Sequence, residues 1–329
     1  MSVRAGTFAP RIGLSGTPIP FTTLVDANPE PSAGPDPSTG APVATFLLRP
    51  SPWLAGLSER GLPAPQVIVA DVAAGAAALL DRAGGYRVMT ESLRLDPLGE
   101  AGPRLRATAH ASVAHGPRAL TVGVVASLPD ATADGNGAER TGANGAPPVS
   151  GGAGGAEAGS AGPGDGGDAQ AGTVAGHLSA RILVLDPRQA GGRVDAPSRV
   201  PTGHTPAVED LLGDATTLEH ADADVVRLRV PAHGDVGNSY GFMHGGAVAV
   251  YTDIGLEWLR GRPAPDLAGS RVLSVTLDYL APVRLRGAVG VTSRIVERGG
   301  GRAIVAVTVA GDGDAACAIA SYTVRLRRR

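Results

Sequence analysis

The 329-residue chain sets 31 acidic residues against 29 basic ones, every one of them arginine, for a net charge near −2. That balance gives no general attraction to nucleic acid or to an anionic membrane surface, so neither is expected as a partner. A single cysteine, Cys317, excludes internal disulfides and zinc sites built on cysteine pairs, and a reducing cytoplasm is the expected compartment. No 18-residue apolar span and no leader-type apolar run occurs, so secretion and membrane spanning are not expected.

Residues 1–40 are rich in Pro and Gly and read as an irregular lead-in with one apolar patch at Phe21 to Val25. Val43 to Arg49 is a strand candidate. Val67 to Leu80, dominated by alanine, is long enough for a buried helix and carries one acid, Asp71. Arg87–Leu95, Leu105–Ala114 and Arg118–Ala126 alternate as strands do, and His177–Leu185 resumes that pattern after a gap. The gap, 130–172, is Gly/Ala-rich and has too little apolar surface to offset the entropy of ordering, so disorder is expected there. Residues 187–221 read as a linker.

From 222 onward the plan repeats. A strand at Val225–Pro231 precedes a loop, a helix running to about Arg260, and strands near Val272–Leu280, Ala288–Arg298, Arg302–Ala310 and Ala316–Leu326. Arg118 to Val122 aligns with Arg302 to Ala306 at an offset of 184, and Ser179 to Leu185 with Ala320 to Leu326 at an offset of 141. The difference equals the length of 130–172, which makes that segment an insertion between two strands of the first copy. The expected class is α+β, with one unit at 41–186 and a second at 222–329.

The second unit holds the stretch most suited to chemistry. Asn238, Gly241, His244, Gly245 and Gly246 form a loop that opens a periodic apolar helix, and Asp253 stands in that helix's third turn. Backbone N–H groups at a helix start can receive a developing oxyanion, and a carboxylate can serve as base or nucleophile toward an ester or thioester carbonyl.

This pattern, Asn-x-x-Gly-x-x-His-Gly-Gly with an acid nine residues after the histidine, resembles the signature of PaaI-like and 4-hydroxybenzoyl-CoA-type thioesterases, and Val272 to Val283 resembles their following strand. The resemblance covers Asn238 to the C-terminus, and the internal repeat extends it to 41–186. It implies a hotdog fold in each of two tandem units, paired as a pseudo-dimer, with a long central helix wrapped by a curved antiparallel sheet. It further implies acyl-CoA or an acyl carrier as substrate, no cofactor and no metal, Asp253 as catalytic carboxylate, Gly245 as amide donor and Asn238 as a polar contact. Ile254 and Glu257 depart from the hydroxyl residues found there in many relatives.

Spacing complicates that assignment. Gly245 and Asp253 lie about 12 Å apart along one helix, at about 1.5 Å per residue, and cannot both touch one carbonyl. A site must combine the glycine end of one helix with the acid of the other. At an offset of 182, Leu62-Pro63-Ala64 fall on His244-Gly245-Gly246, and Asp71 falls on Asp253. Pro63 has no N–H to donate. Asp71 is therefore a rival to Asp253, with Gly245 and Gly246 as its amide end, and at most one of the two sites is fully equipped. His244 is expected to close the turn, Asn238 to form a turn or touch substrate, Glu257 to be exposed or ion-paired, and Cys317 to be a small core residue. A thioesterase is the expected activity, with a non-catalytic acyl-CoA-binding or regulatory protein of the same fold as the alternative. Assembly into a homodimer of chains is left open.

Overall fold

The structure, a computed structural model, describes residues 27–29, 34–35, 41–49, 51–54, 56–80, 87–99, 102, 104–111, 117–129, 172–185, 203–238, 240–311 and 315–327. The expected disordered insertion lies outside the described residues apart from Gly172, as does the Phe21–Val25 patch.

Alanine decides the character of helix α1 (Ala64–Leu79): it favours the helix and has almost no side chain to hold away from neighbours, so α1 can be buried nearly all round. Helix α2 (Val208–Leu212) is one short turn, and helix α3 (Gly245–Gly261) is again buried on almost every side. His244 caps α3, its Nδ1 accepting the Gly246 N–H at 3.0 Å, whereas Pro63 at the start of α1 offers no side-chain cap.

The strands are β1 (Ala27–Pro29), β2 (Gly34–Pro35), β3 (Pro42–Leu48), β4 (Arg87–Pro97), β5 (Arg104–Ala111), β6 (Arg118–Leu128), β7 (Thr173–Leu185), β8 (Thr217–Ala221), β9 (Val225–Ala232), β10 (Arg271–Tyr279), β11 (Gly287–Gly299), β12 (Arg302–Ala310) and β13 (Ala316–Arg325). They form one antiparallel sheet in the order β1-β3-β5-β6-β7-β4-β10-β13-β12-β11-β9-β8, with β2 beside β3. The order β3-β5-β6-β7-β4 on one side is answered by β9-β11-β12-β13-β10 on the other, and the halves join where Leu93 pairs with Leu277 and Leu95 with Val275. Helix α1 packs on β3 to β7, α3 packs on β9 and β11 to β13, and the helices touch each other.

Register irregularities repeat as well. One interrupts β4–β7 between Thr90 and Ser92, and one interrupts β10–β13 between Val272 and Ser274, at the same offset of 182 that aligns Asp71 with Asp253. Such bulges re-aim the side chains around them.

Two sequence expectations need correcting. The lead-in is not wholly irregular, because β1 and β2 add to the edge of β3. The stretch expected as a linker contains α2 and β8, and its described part, 203–221, is tied down: Trp53 Nε1 donates to the Pro206 carbonyl at 3.1 Å, Trp258 Nε1 to the Leu211 carbonyl at 3.3 Å, and Arg60 pairs with Glu209 at 2.9 Å.

Candidate active site

Helices α1 and α3 run antiparallel over their first turns, because the aspartate of each meets the start of the other. The two meetings differ in kind.

Asp253 is fully buried. Its Oδ2 accepts the backbone N–H of Ala64 at 2.7 Å, and its Oδ1 accepts the Tyr322 hydroxyl at 2.8 Å. Tyr322 Oη lies 2.7 Å from Thr252 Oγ1, which is also 2.9 Å from the Ala249 carbonyl. Both carboxylate oxygens are occupied by protein donors, and no surface is left for a ligand. Burial pushes the Asp253 carboxyl up to about 7, against the pull of its two donors and of Arg260.

Asp71 meets Gly245. A Cβ added at Gly245 would lie 2.9 Å from Asp71 Oδ2 and 3.5 Å from the Tyr279 hydroxyl, so only glycine leaves this approach unstrained. Thr90, beside the β4 bulge, donates its hydroxyl to Asp71 Oδ1 at 2.6 Å, and Tyr279 donates to the Gly245 carbonyl at 3.1 Å. Among the described residues, Oδ2 accepts no hydrogen bond and the Gly245 N–H finds no acceptor. Burial raises the Asp71 carboxyl above its usual range, opposed by the charge that His244 carries when protonated and by the Thr90 bond. His244 is held below its usual range by burial, with Asp71 pulling the other way. Its Nδ1 accepts from Gly246, so the neutral ring carries its proton on Nε2.

Asn238 organises the loop. Its Oδ1 accepts the N–H groups of Tyr240 at 2.9 Å and Phe242 at 3.2 Å, while Gly241 takes φ +77. Gly237 to Gly241 also spells Gly-x-Ser-x-Gly, but it runs from a 3-10 turn into an isolated bridge instead of from strand to helix, so the context of a nucleophile elbow is missing.

The structure thus gathers Asp71, His244 and Gly245, with Gly246 one residue on, and sets Asp253 apart. Sequence reasoning missed Thr90, Tyr279 and Tyr322. Glu257 is ion-paired, to Arg60 at 3.6 Å and Arg260 at 3.4 Å, and Cys317 packs against the core while partly exposed. A cleft beside Arg60, Glu257 and Trp258 opens at the other end of α3, where Arg262 lies over the Trp258 ring. Among the described residues no cluster of His, Cys, Asp or Glu is suited to a metal, and no helix is long and apolar enough to cross a membrane.

The loop, α3 and the strands after it coincide with the region that a family model picks out. Residues 240–318 match the model of the thioesterase superfamily. The matched region contains His244, Gly245, Asp253 and Tyr279, while Asp71 and Thr90 lie outside it. Among solved structures, a protein assigned as an oleoyl thioesterase from Lactobacillus plantarum superposes with a TM-score of 0.53 at 11% identity, covering 88% of this chain and 99% of that one. The tesB protein of Mycobacterium avium subsp. paratuberculosis gives 0.51 at 9% identity, covering 86% and 93%. At these identities the likeness is one of fold, and the fold is the hotdog. No curated protein matches the chain in sequence.

Proposed function

We propose that the chain is a hydrolase of acyl thioesters, built as two hotdog units that share one working site between Asp71 and the start of α3. The observation that carries this reading is the approach of the Asp71 carboxylate to Gly245, where, among the described residues, neither Oδ2 nor the helix-terminal Gly245 N–H has a hydrogen-bond partner. The family of residues 240–318 and the mirrored strand order support the same reading.

In this mechanism the thioester carbonyl oxygen takes the Gly245 N–H, and the positive end of α3 stabilises the charge that grows there. Asp71 Oδ2 accepts a proton from a water molecule as the water oxygen bonds to the carbonyl carbon. The tetrahedral intermediate then collapses, the C–S bond breaks, and the thiolate leaves to be protonated, giving a carboxylic acid and a free thiol. A raised carboxyl suits the base role, because a base works best with a pKa near the working pH. Thr90 keeps Oδ1 engaged, leaving Oδ2 for the water. The neutral His244 holds Gly246 and shapes the turn. The substrate class proposed is acyl-CoA.

The test is release of free thiol from a panel of acyl-CoAs of varied chain length and aromatic character. Turnover by wild type and its loss in Asp71→Asn support the proposal. Saturable acyl-CoA binding without thiol release would replace it with the non-catalytic alternative.

A further inference from the structure

We infer that Asp253 is a positioning residue for the Asp71 site: its carboxylate reaches across the helix pair, caps the first turn of α1 and fixes where Asp71 stands. This rests on the reading of Asp71 as the working carboxylate.

Helix α1 begins without help from its own flank. Pro63 contributes neither an N–H nor a capping side chain, and among the described residues the first amide of the helix, Ala64, finds its acceptor in Asp253 Oδ2. From Ala64 to Asp71 is seven residues, or about 10 Å of rigid helix, so holding the first residue sets the axial position of the acid. The cap is anchored in turn: Oδ1 is held by Tyr322 from β13, and Tyr322 is held by Thr252. A carboxylate with both oxygens bonded to buried protein donors has no free face for a reacting carbonyl, yet it would be costly to keep there without those bonds.

The network also has a specific chemical tolerance. Asparagine at 253 can keep the Ala64 N–H and the Tyr322 hydroxyl partnered, with its Oδ1 accepting from Ala64, one Nδ2 hydrogen going to Tyr322 Oη, the Tyr322 hydroxyl turning to Thr252, and Thr252 donating to the Ala249 carbonyl. Alanine cannot: it leaves the Ala64 N–H and the Tyr322 hydroxyl buried without partners. A catalytic acid would be abolished equally by both changes.

Full-length Asp253→Asn, Asp253→Ala, Tyr322→Phe and Asp71→Asn are compared for thioester hydrolysis and for backbone amide exchange over 64–70. D253N is expected to keep kcat within about threefold of wild type, and D253A to lose about tenfold in kcat with KM within about twofold, as small misplacements of a catalytic group do. Exchange at the first turn of α1 should accelerate in D253A and stay near wild type in D253N. If D253A does not fold, Y322F takes its place, with a smaller change of the same sign in both readouts. A kcat loss in D253N equal to that in D71N would overturn the inference, and so would unchanged exchange in D253A or, in its place, Y322F. Should wild type hydrolyse no thioester, the functional reading fails, while the exchange measurement still decides whether Asp253 caps α1.

Discussion

Thr90 donates to Asp71 from the edge of a bulge, and the residue that stands in the matching place for Asp253 is Val272, which has nothing to donate. Each acid thus takes a hydroxyl from a different place, Asp71 from Thr90 and Asp253 from Tyr322. Thr90→Val keeps the shape and removes the bond, which otherwise lowers the Asp71 carboxyl. The acid limb of kcat/KM is expected to move to higher pH, with a loss of about tenfold below it from one missing charge-assisted bond. A pH–rate profile of the purified variant checks this, and an unmoved limb would separate Thr90 from the ionisation that limits the rate.

Replacing the acid should cost more than replacing its partner. Asp71→Asn is expected to lower kcat by about 10² to 10⁴, the usual contribution of a general base, with a smaller effect on KM. Single-turnover thiol release measures it directly, and a variant at wild-type rate would sink the assignment.

Gly245→Ala places a methyl 2.9 Å from Asp71 Oδ2. The carboxylate must swing away, breaking its bond to Thr90 and vacating the space before the Gly245 N–H. The expected result is a loss of about 10² in kcat from misalignment of the base. Thermal unfolding should also come at lower temperature, since a buried carboxylate is displaced from its Thr90 bond. Full activity would show that the carboxylate does not work from this position.

Stability should fall as pH rises. Asp253 has an ordinary value of 3.8 and a folded value of about 7, so the folded chain keeps a proton that the unfolded chain gives up. Its contribution is fully present below about pH 4, declines up to about pH 7, and is then constant; Asp71, also raised, adds in the same direction. Urea midpoints measured for wild type and D253N from pH 5 to 8 should converge toward acid and separate toward neutrality, with the variant flatter. Parallel curves would show that Asp253 is ionised in the fold throughout.

Periodicity and the repeat offsets made the strand and helix spans legible, and the offset of 182 that aligned Asp71 with Asp253 reappears in the two bulges. The pairing of Asp71 with Gly245 was legible too, because helix rise forbids Gly245 and Asp253 from sharing a carbonyl. What the sequence hid was of three kinds. Tyr322 reaches Asp253 across 69 positions, a contact that only strand order creates. Thr90 points at Asp71 because of a bulge, and alternation alone does not predict one. Ala64 acts through its backbone amide, which leaves no mark on residue identity.

Pro63 carries a consequence of its own. It deletes one N–H at the start of α1, while its counterpart Gly245 keeps its own at the start of α3. Two identical chains related by a symmetry axis could not be altered in this way, since one codon would write the change into both. Here each helix start is encoded separately, so mutation can remodel one without touching the other. The chain has that freedom to diverge because both helices are written in a single gene.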